Sequence, residues 1–192
     1  MENEYAVNKI FEKIDFNQIP LKKGEYENCT FVNCNFNSAD LSNIIFSECL
    51  FTGCNLSMAV LTDTAIRETK FRECKMLGLN FENCNRFGLS FTAENCQLNH
   101  SSFYQLKFKN AVFAHCLLHE TDFTESDFTG TVFNDCDFSL AVFNHANLEK
   151  TDFRTSYNYS INPENNRIKK AKFSLPAVTG LLDTYDIEIE DI

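Results

Sequence analysis

The 192-residue chain has no tryptophan, three prolines and six glycines. So little glycine and proline excludes a collagen-like or low-complexity linker chain. There is no long apolar run, so no membrane span is expected. The opening MENEYAVNKI has no apolar signal region, and a reduced, cytoplasmic setting is expected. Basic residues are also scarce. Seventeen Lys and Arg against 27 Asp and Glu leave a net charge of −10. That balance argues against a protein that grips nucleic-acid phosphates directly. Nucleotide-binding and nucleophile motifs are missing too: there is no P-loop, no G-x-G-x-x-G and no G-x-S-x-G.

Phenylalanine is abundant, with 20 residues, and cysteine numbers nine. The phenylalanines keep time. In YENCTFVNCNFNSADLSN a large apolar residue returns every fifth position, at Tyr26, Phe31, Phe36 and Leu41. The beat continues through Phe46, Phe51, Leu56, Leu61, Ile66, Phe71, Met76 and Phe81. Arg86 breaks it, and Phe91 is in phase again. A second run goes from Leu98 through Phe103, Phe108, Phe113 and onward to Phe153. A smaller residue stands two positions before most of these centres, as at Cys29, Cys34, Ala39 and Cys49. Five matches neither the 3.6-residue period of a helix nor the two-residue period of a strand.

A backbone that turns about 90° per unit makes the period useful. Four units then close one square coil of about 20 residues, and coils stack at strand spacing. The cysteines carry that longer period. Cys34, Cys54 and Cys74 are 20 apart, as are Cys96, Cys116 and Cys136. Between Cys74 and Cys96 the gap is 22, which implies a two-residue bulge. The step from Phe91 to Leu98 places it within 92–95, with Arg86 turned outward, Phe87 taking its core place and Gly88 absorbing the change. A leucine-rich repeat is excluded, because all four quarters look alike.

The small slot faces the core, so the cysteines are expected as buried free thiols, with spacings of 5 and 20 that avoid the C-x-x-C of zinc sites. His115 and His119 fall on outer positions of different sides, and no metal or cofactor is expected. A convex rod offers no cleft for acid–base chemistry, so no enzyme activity is expected. The side of Leu41, Leu61, Phe81, Phe103, Phe123 and Phe143 carries Asp40, Asp63, Glu82, Asp122 and Glu125, and from Leu41 onward no Lys or Arg. It is a candidate docking stripe for a basic partner.

Residues 1–25 are expected to cap the first coil, with the repeat region ending at residue 173. SLPAVTGLLDTY then predicts a short C-terminal α-helix within 174–192, N-capped by Ser174, with Leu175, Val178, Leu181 and Leu182 as its apolar face. Those four side chains are the expected contact of a homodimer. The final DIEIEDI alternates like a strand.

The repeat resembles the pentapeptide repeat family, whose motif is A-(D/N)-L-x-x. Ala39-Asp40-Leu41, Ala146-Asn147-Leu148 and Thr121-Asp122-Phe123 carry it. The resemblance implies an all-β solenoid, a right-handed quadrilateral β-helix. It is also similar to the Qnr-type quinolone-resistance members, which implies DNA mimicry toward DNA gyrase or another type II topoisomerase. This chain has a two-residue insertion where Gram-negative Qnr-type members carry two long loops. Two functions stay open: a DNA-mimicking topoisomerase binder, and an interaction scaffold or regulator with another partner.

Overall fold

The computed structural model describes residues 4–190. The chain winds into a four-sided parallel β-solenoid. On the first side, β1 (Glu4–Val7), β3 (Gly24–Glu27), β5 (Ile45–Ser47) and β7 (Ala65–Arg67) form a four-stranded sheet in that order. The second side carries seven strands. In stacking order these are β2 (Ile10–Glu12), β4 (Thr30–Val32), β6 (Leu50–Thr52), β8 (Thr69–Arg72), β9 (Phe91–Glu94), β10 (Val112–Ala114) and β11 (Val132–Asn134). The third and fourth sides are ladders of single parallel bridges, such as Asp15–Asn35–Asn55–Lys75 and Ser102–Asp122–Val142. Pairing is one coil apart throughout, Phe31 with Phe51 and Tyr26 with Phe46.

The corner explains the period. Two residues after almost every centre the backbone enters the left-handed region, from Asn28 at φ 49° and Asn33 at 52° to Lys150 at 60°. Glycine takes the same place at Gly53, Gly78 and Gly130. A non-glycine residue there costs roughly 1 kcal/mol or more. The corner amide repays it by bonding to the next coil, as Asn28 to the Ser47 carbonyl (2.9 Å) and Asn33 to that of Thr52 (2.8 Å).

A second device sits one residue before the centre. The side chain of Asp or Asn accepts the amide two residues on: Asp40 from Ser42 (2.9 Å), Asn55 from Ser57 (3.1 Å) and Asp137 from Ser139 (3.1 Å). This Asx turn fixes the corner from outside.

Inside, like stacks on like. Phe11, Phe31 and Phe51 lie at 4.8 and 4.6 Å between ring centroids, and Phe103, Phe123 and Phe143 at 5.4 and 4.8 Å. The small slot is polar for a reason. Its side chain donates to the centre carbonyl of the coil below: Thr64 to Leu41 (2.8 Å), Thr131 to Phe108 (3.0 Å), Cys49 to Tyr26 (3.2 Å). All nine cysteines are buried and free. The residues following Cys34, Cys54, Cys74, Cys96, Cys116 and Cys136 are bridge-paired in succession, so those six thiols form one column.

The bulge lies earlier than the sequence placed it. Strand β9 is regular, and its register with β8 sets Thr69 against Phe91 and Phe71 against Ala93. Phe91 therefore occupies a small slot, and Ala93 is the centre. The two extra residues enter between Asn83 and Phe91. The Asn85 amide bonds the Thr64 carbonyl and the Gln97 amide that of Cys74, so twelve residues lie against ten. Arg86 is exposed, as expected. Phe87 is not in the core but 80% exposed, its ring 5.7 Å from the Arg67 guanidinium carbon. Gly88 turns the chain at φ 72°. The first side thus lacks a centre between Ile66 and Phe108. The Phe91 ring fills that place, 4.6 Å from Phe108, 5.1 Å from Phe81 and 5.4 Å from Phe71, and Leu89 packs partly against it.

The C-terminal α-helix does not form. Two 3-10 turns, Val178–Leu181 and Asp183–Tyr185, take its place, and no side chain caps either one. Ser174 is not a cap; the residue before the first turn is Ala177. Val, Thr and Gly in series are poor helix formers, and Gly180 is pressed against the Tyr159 carbonyl, where a side chain has no room. The expected strand also fails: Asp186–Glu190 has no regular structure, and residues 191 and 192 lie outside the described residues. At the other end, 4–23 is a coil in register, since β1 pairs β3 and β2 pairs β4.

Three outcomes are expected. Phe91→Ala costs about 3–5 kcal/mol in denaturant unfolding, because it empties the one irregular place in the core. Phe87→Ala changes stability by less than about 0.5 kcal/mol; equal effects of the two would contradict the register. Burial pushes the Cys49 and Cys84 thiols up to about 12. All nine thiols are buried, so a thiol reagent at neutral pH should label no cysteine until the chain unfolds; rapid native labelling of the column would contradict its placement.

The third concerns acid. The Ser42 hydroxyl and amide, and then Lys23, hold Asp40 down at about 2. Arg154, helped by Lys172, holds Asp152 at about 2. At Asp137 burial pushes upward, but bonds from Ser139, Asn158 and His119 outweigh it. Carboxylates lowered in the fold stabilise it above the unfolded value near 4. That stability is lost as pH falls through the folded values. Unfolding free energy should be flat from pH 7 to about 4 and decline between about 4 and 2. Asp152→Asn should make the decline shallower; an unchanged acid limb would exclude Asp152 as a contributor.

Candidate partner-binding surface

Each repeat exposes three positions: one before the centre and two after it. On the fourth side these positions hold all five candidate carboxylates. Asp40 and Asp122 stand before their centres, and both close Asx turns, to the amides of Ser42 (2.9 Å) and Thr124 (2.8 Å). Asp63 and Glu125 are left-handed corner residues, at φ 53° and 55°. Glu82 follows its centre in the 3-10 turn Phe81–Asn83, and one of its carboxylate oxygens is buried without a hydrogen-bond partner among the described residues.

The five share one side but are not equally free. Lys23 lies 3.0 Å from the Asp40 carboxylate and also donates to the Asp40 carbonyl (3.1 Å). With Lys22 it makes the start of this side basic, a feature outside the stretch that begins at Leu41. Gln105 donates to Glu125 (2.7 Å) and to the Tyr104 hydroxyl (3.0 Å). Asp63, Glu82 and Glu125 have no cation within ion-pair distance among the described residues. Val60 and Tyr104 are exposed between them, and Val142 one coil past Asp122. From Asp40 to Glu125 the stripe crosses four coil spacings, roughly 19 Å.

Most cations lie on the first and second sides. Arg67, Lys70, Arg72, Lys107 and Lys109 occupy the middle coils; Lys150, Arg154, Arg167, Lys169, Lys170 and Lys172 crowd the last two. Several pair within the ladder: Arg72 with Glu94 (3.2 Å), Lys109 with Asp127 (3.0 Å), Arg167 with Glu149 (2.7 Å). His115 and His119 face separate carboxylates, Asp135 (3.6 Å) and Asp137 (3.0 Å), and do not converge. Phe87, expected in the core in place of Arg86, instead projects from the first side over Arg67. Its exposure follows from the true site of the insertion, hidden because Phe91 falls in phase.

At the C-terminal end the four candidate contact residues divide. Leu175 is 88% exposed, Val178 and Leu182 are half-buried, and Leu181 packs against the chain's own core together with Ala177. No helix of the described residues is long and apolar enough to cross a membrane.

Among solved structures, a trypsin-treated form of QnrB1, a plasmid-mediated fluoroquinolone resistance protein, matches with a TM-score of 0.64 and 19% identity over 97% of this chain and 98% of that one. Full-length QnrB1 matches with a TM-score of 0.56 and 19% identity over 95% and 99%. HetL from Nostoc sp. strain PCC 7120, a pentapeptide repeat protein involved in heterocyst differentiation regulation, aligns at 0.40 and 13% over 88% and 89%. No curated protein sequence matches. Models of the pentapeptide repeat region and of eight-copy pentapeptide repeats match residues 25–103, 96–135 and 116–156. Together they span 25–156, and with the square coils and their five-residue corners they make this chain a member of the pentapeptide repeat family.

Proposed function

We propose that this protein is a non-enzymatic acidic rod that docks through its fourth side on a basic protein groove shaped for duplex DNA, that of DNA gyrase or another type II topoisomerase. The observation that carries the proposal is the stripe itself. Five carboxylates over about 19 Å give one charge per roughly 4 Å, near the 3.4 Å per charge of a single DNA strand. Past Lys22 and Lys23 the side bears no Lys or Arg. The fold likeness to QnrB1 supports the same direction. In this proposal two copies join end to end through Leu175, Val178 and Leu182, with Leu181 holding the segment to its own rod. Two rods in line lengthen the anionic surface.

One observation favours the scaffold alternative. Asp40 and Asp122 are turn-closing residues, and the same Asx turn recurs on other sides at Asn35, Asn55 and Asp152. Part of the acidity is therefore a consequence of the fold.

A gyrase supercoiling assay separates the two. Asn performs the turn as Asp does, so Asp40→Asn, Asp63→Asn, Glu82→Gln, Asp122→Asn and Glu125→Gln together should leave the fold intact. Wild-type protein at micromolar concentration should alter supercoiling, and the effect should fade with added salt. The five-fold amide variant should need at least tenfold more protein. No wild-type effect at low salt, or equal potency of the variant, would leave the scaffold role standing.

A further inference from the structure

We propose that the C-terminal end of the rod is completed by a second copy of this chain, whose acidic tail, Asp186–Glu190, adds as a strand to the basic edge formed by Arg167–Phe173. The proposal rests on the end-to-end dimer above and names the segment that holds it.

The end is only half covered in the single chain. Leu175–Tyr185 lies over the third and fourth sides. There the Ile161 amide donates to the Gly180 carbonyl (2.8 Å), and the Tyr185 hydroxyl to Glu164 (3.1 Å). Over the first and second sides none of the described residues follows. In the coil below, the amides of Leu148, Lys150 and Phe153 donate to the carbonyls of Arg167, Lys169 and Lys172, at 2.8, 3.0 and 2.8 Å. The equivalent amides one coil later belong to Ile168, Lys170 and Phe173. Among the described residues, none of these three finds an acceptor. Ile168 and Phe173 sit at centre positions yet are only half-buried, whereas Leu148 and Phe153 beneath them are fully covered. An edge of unpaired amides above an uncovered apolar floor is a template for another strand.

Charge selects the occupant. Arg154, Arg167, Lys169, Lys170 and Lys172 rim this edge. Arg154 and Lys172 share Asp152, and Arg167 holds Glu149. Lys169 and Lys170 have no carboxylate within ion-pair distance among the described residues.

The tail has the opposite character. Asp186, Glu188 and Glu190 alternate with Ile187 and Ile189, which are 55% and 54% exposed. Its backbone makes no hydrogen bond among the described residues. An extended strand sends alternate side chains to opposite faces. Laid on the edge, it can turn its isoleucines over Ile168 and Phe173, set its carboxylates beside Lys169 and Lys170, and offer carbonyls to the Ile168 and Lys170 amides. The chain's own tail leaves from Tyr185, held at Glu164 on the fourth side, and makes no contact of its own with that edge through its backbone amides or carbonyls among the described residues. A two-fold pair exchanges both tails at once, a closed arrangement.

The test uses full-length chains in sedimentation velocity. An edge variant, Lys169→Glu with Lys170→Glu, and a tail variant, Glu188→Lys with Glu190→Lys, change exposed residues only and should keep the wild-type circular dichroism spectrum. Wild type should dimerise. Each variant alone should dimerise at least tenfold more weakly. An equimolar mixture should regain near-wild-type association, because each tail then meets an edge of opposite sign. If wild type dimerises and either variant matches it, or the mixture does not recover, tail exchange is wrong while the apolar dimer stands. If wild type stays monomeric at 100-fold the assay concentration of about 1 μM, both proposals fall.

Discussion

The left-handed corner residue is the constraint on which the whole molecule depends. It bends the chain every fifth position, and its amide is at once the bond that joins one coil to the next. A helix or a sheet keeps its backbone bonds and its turns in different places. Here they coincide, so each corner can sustain about 1 kcal/mol of conformational cost against a hydrogen bond of similar worth. Everything inside follows from that repeat. Identical corners place identical slots above each other, and the core becomes columns of stacked Phe and of Cys, Ser and Thr that donate downward.

The corner itself left only a broken mark in the sequence. Asn28, Asn33, Asp63, Asn110 and Gly130 are types that favour positive φ, but Glu48, Met58, Leu140 and Lys150 adopt it as well and are not. What showed was its consequence, the spacing of Phe and Cys. The period of 20 located the cysteine column and the presence of a two-residue insertion, because both are properties of register. It misplaced the insertion because register and volume parted company there. Phe91 has the size of a centre and the position of a small slot, and Ala93 the reverse. A pattern of sizes reads that exchange as an unbroken beat. Only the ladder, Phe71 against Ala93 and Ala93 against Phe113, reveals it.

The C-terminal segment failed for a different reason. Leu175, Val178, Leu181 and Leu182 do have helical spacing, and an isolated amphipathic pattern argues for a helix. The competing demand came from the rod's end, where Gly180 meets the Tyr159 backbone and the Ile161 amide takes the Gly180 carbonyl. A carbonyl spent on that contact cannot continue a helix. The acidic stripe was legible as a set of residues sharing one side, but not as chemistry. Asp40 and Asp122 look the same in sequence as any exposed carboxylate; the turns they close appear only with the backbone in view.

That distinction limits where such a rod can carry function. Of the three outward positions per repeat, the one before the centre is drawn toward Asx turns and the second after it is bound by positive φ. Only the position directly after the centre is free of backbone duty. A regular coil therefore has four free surface positions, one per side, and a partner that reads the sides reads mostly residues chosen for the fold. The irregular places escape this. At the insertion, the Phe87 side chain projects over Arg67 with no core to fill, and only its amide serves the backbone, closing the Asn85 turn. At the last coil, the amides equivalent to those of Leu148, Lys150 and Phe153, which bond the coil above, find no acceptor among the described residues beside Lys169 and Lys170. Specific recognition by this protein should concentrate at those breaks, with the sides supplying the field that brings a partner to them.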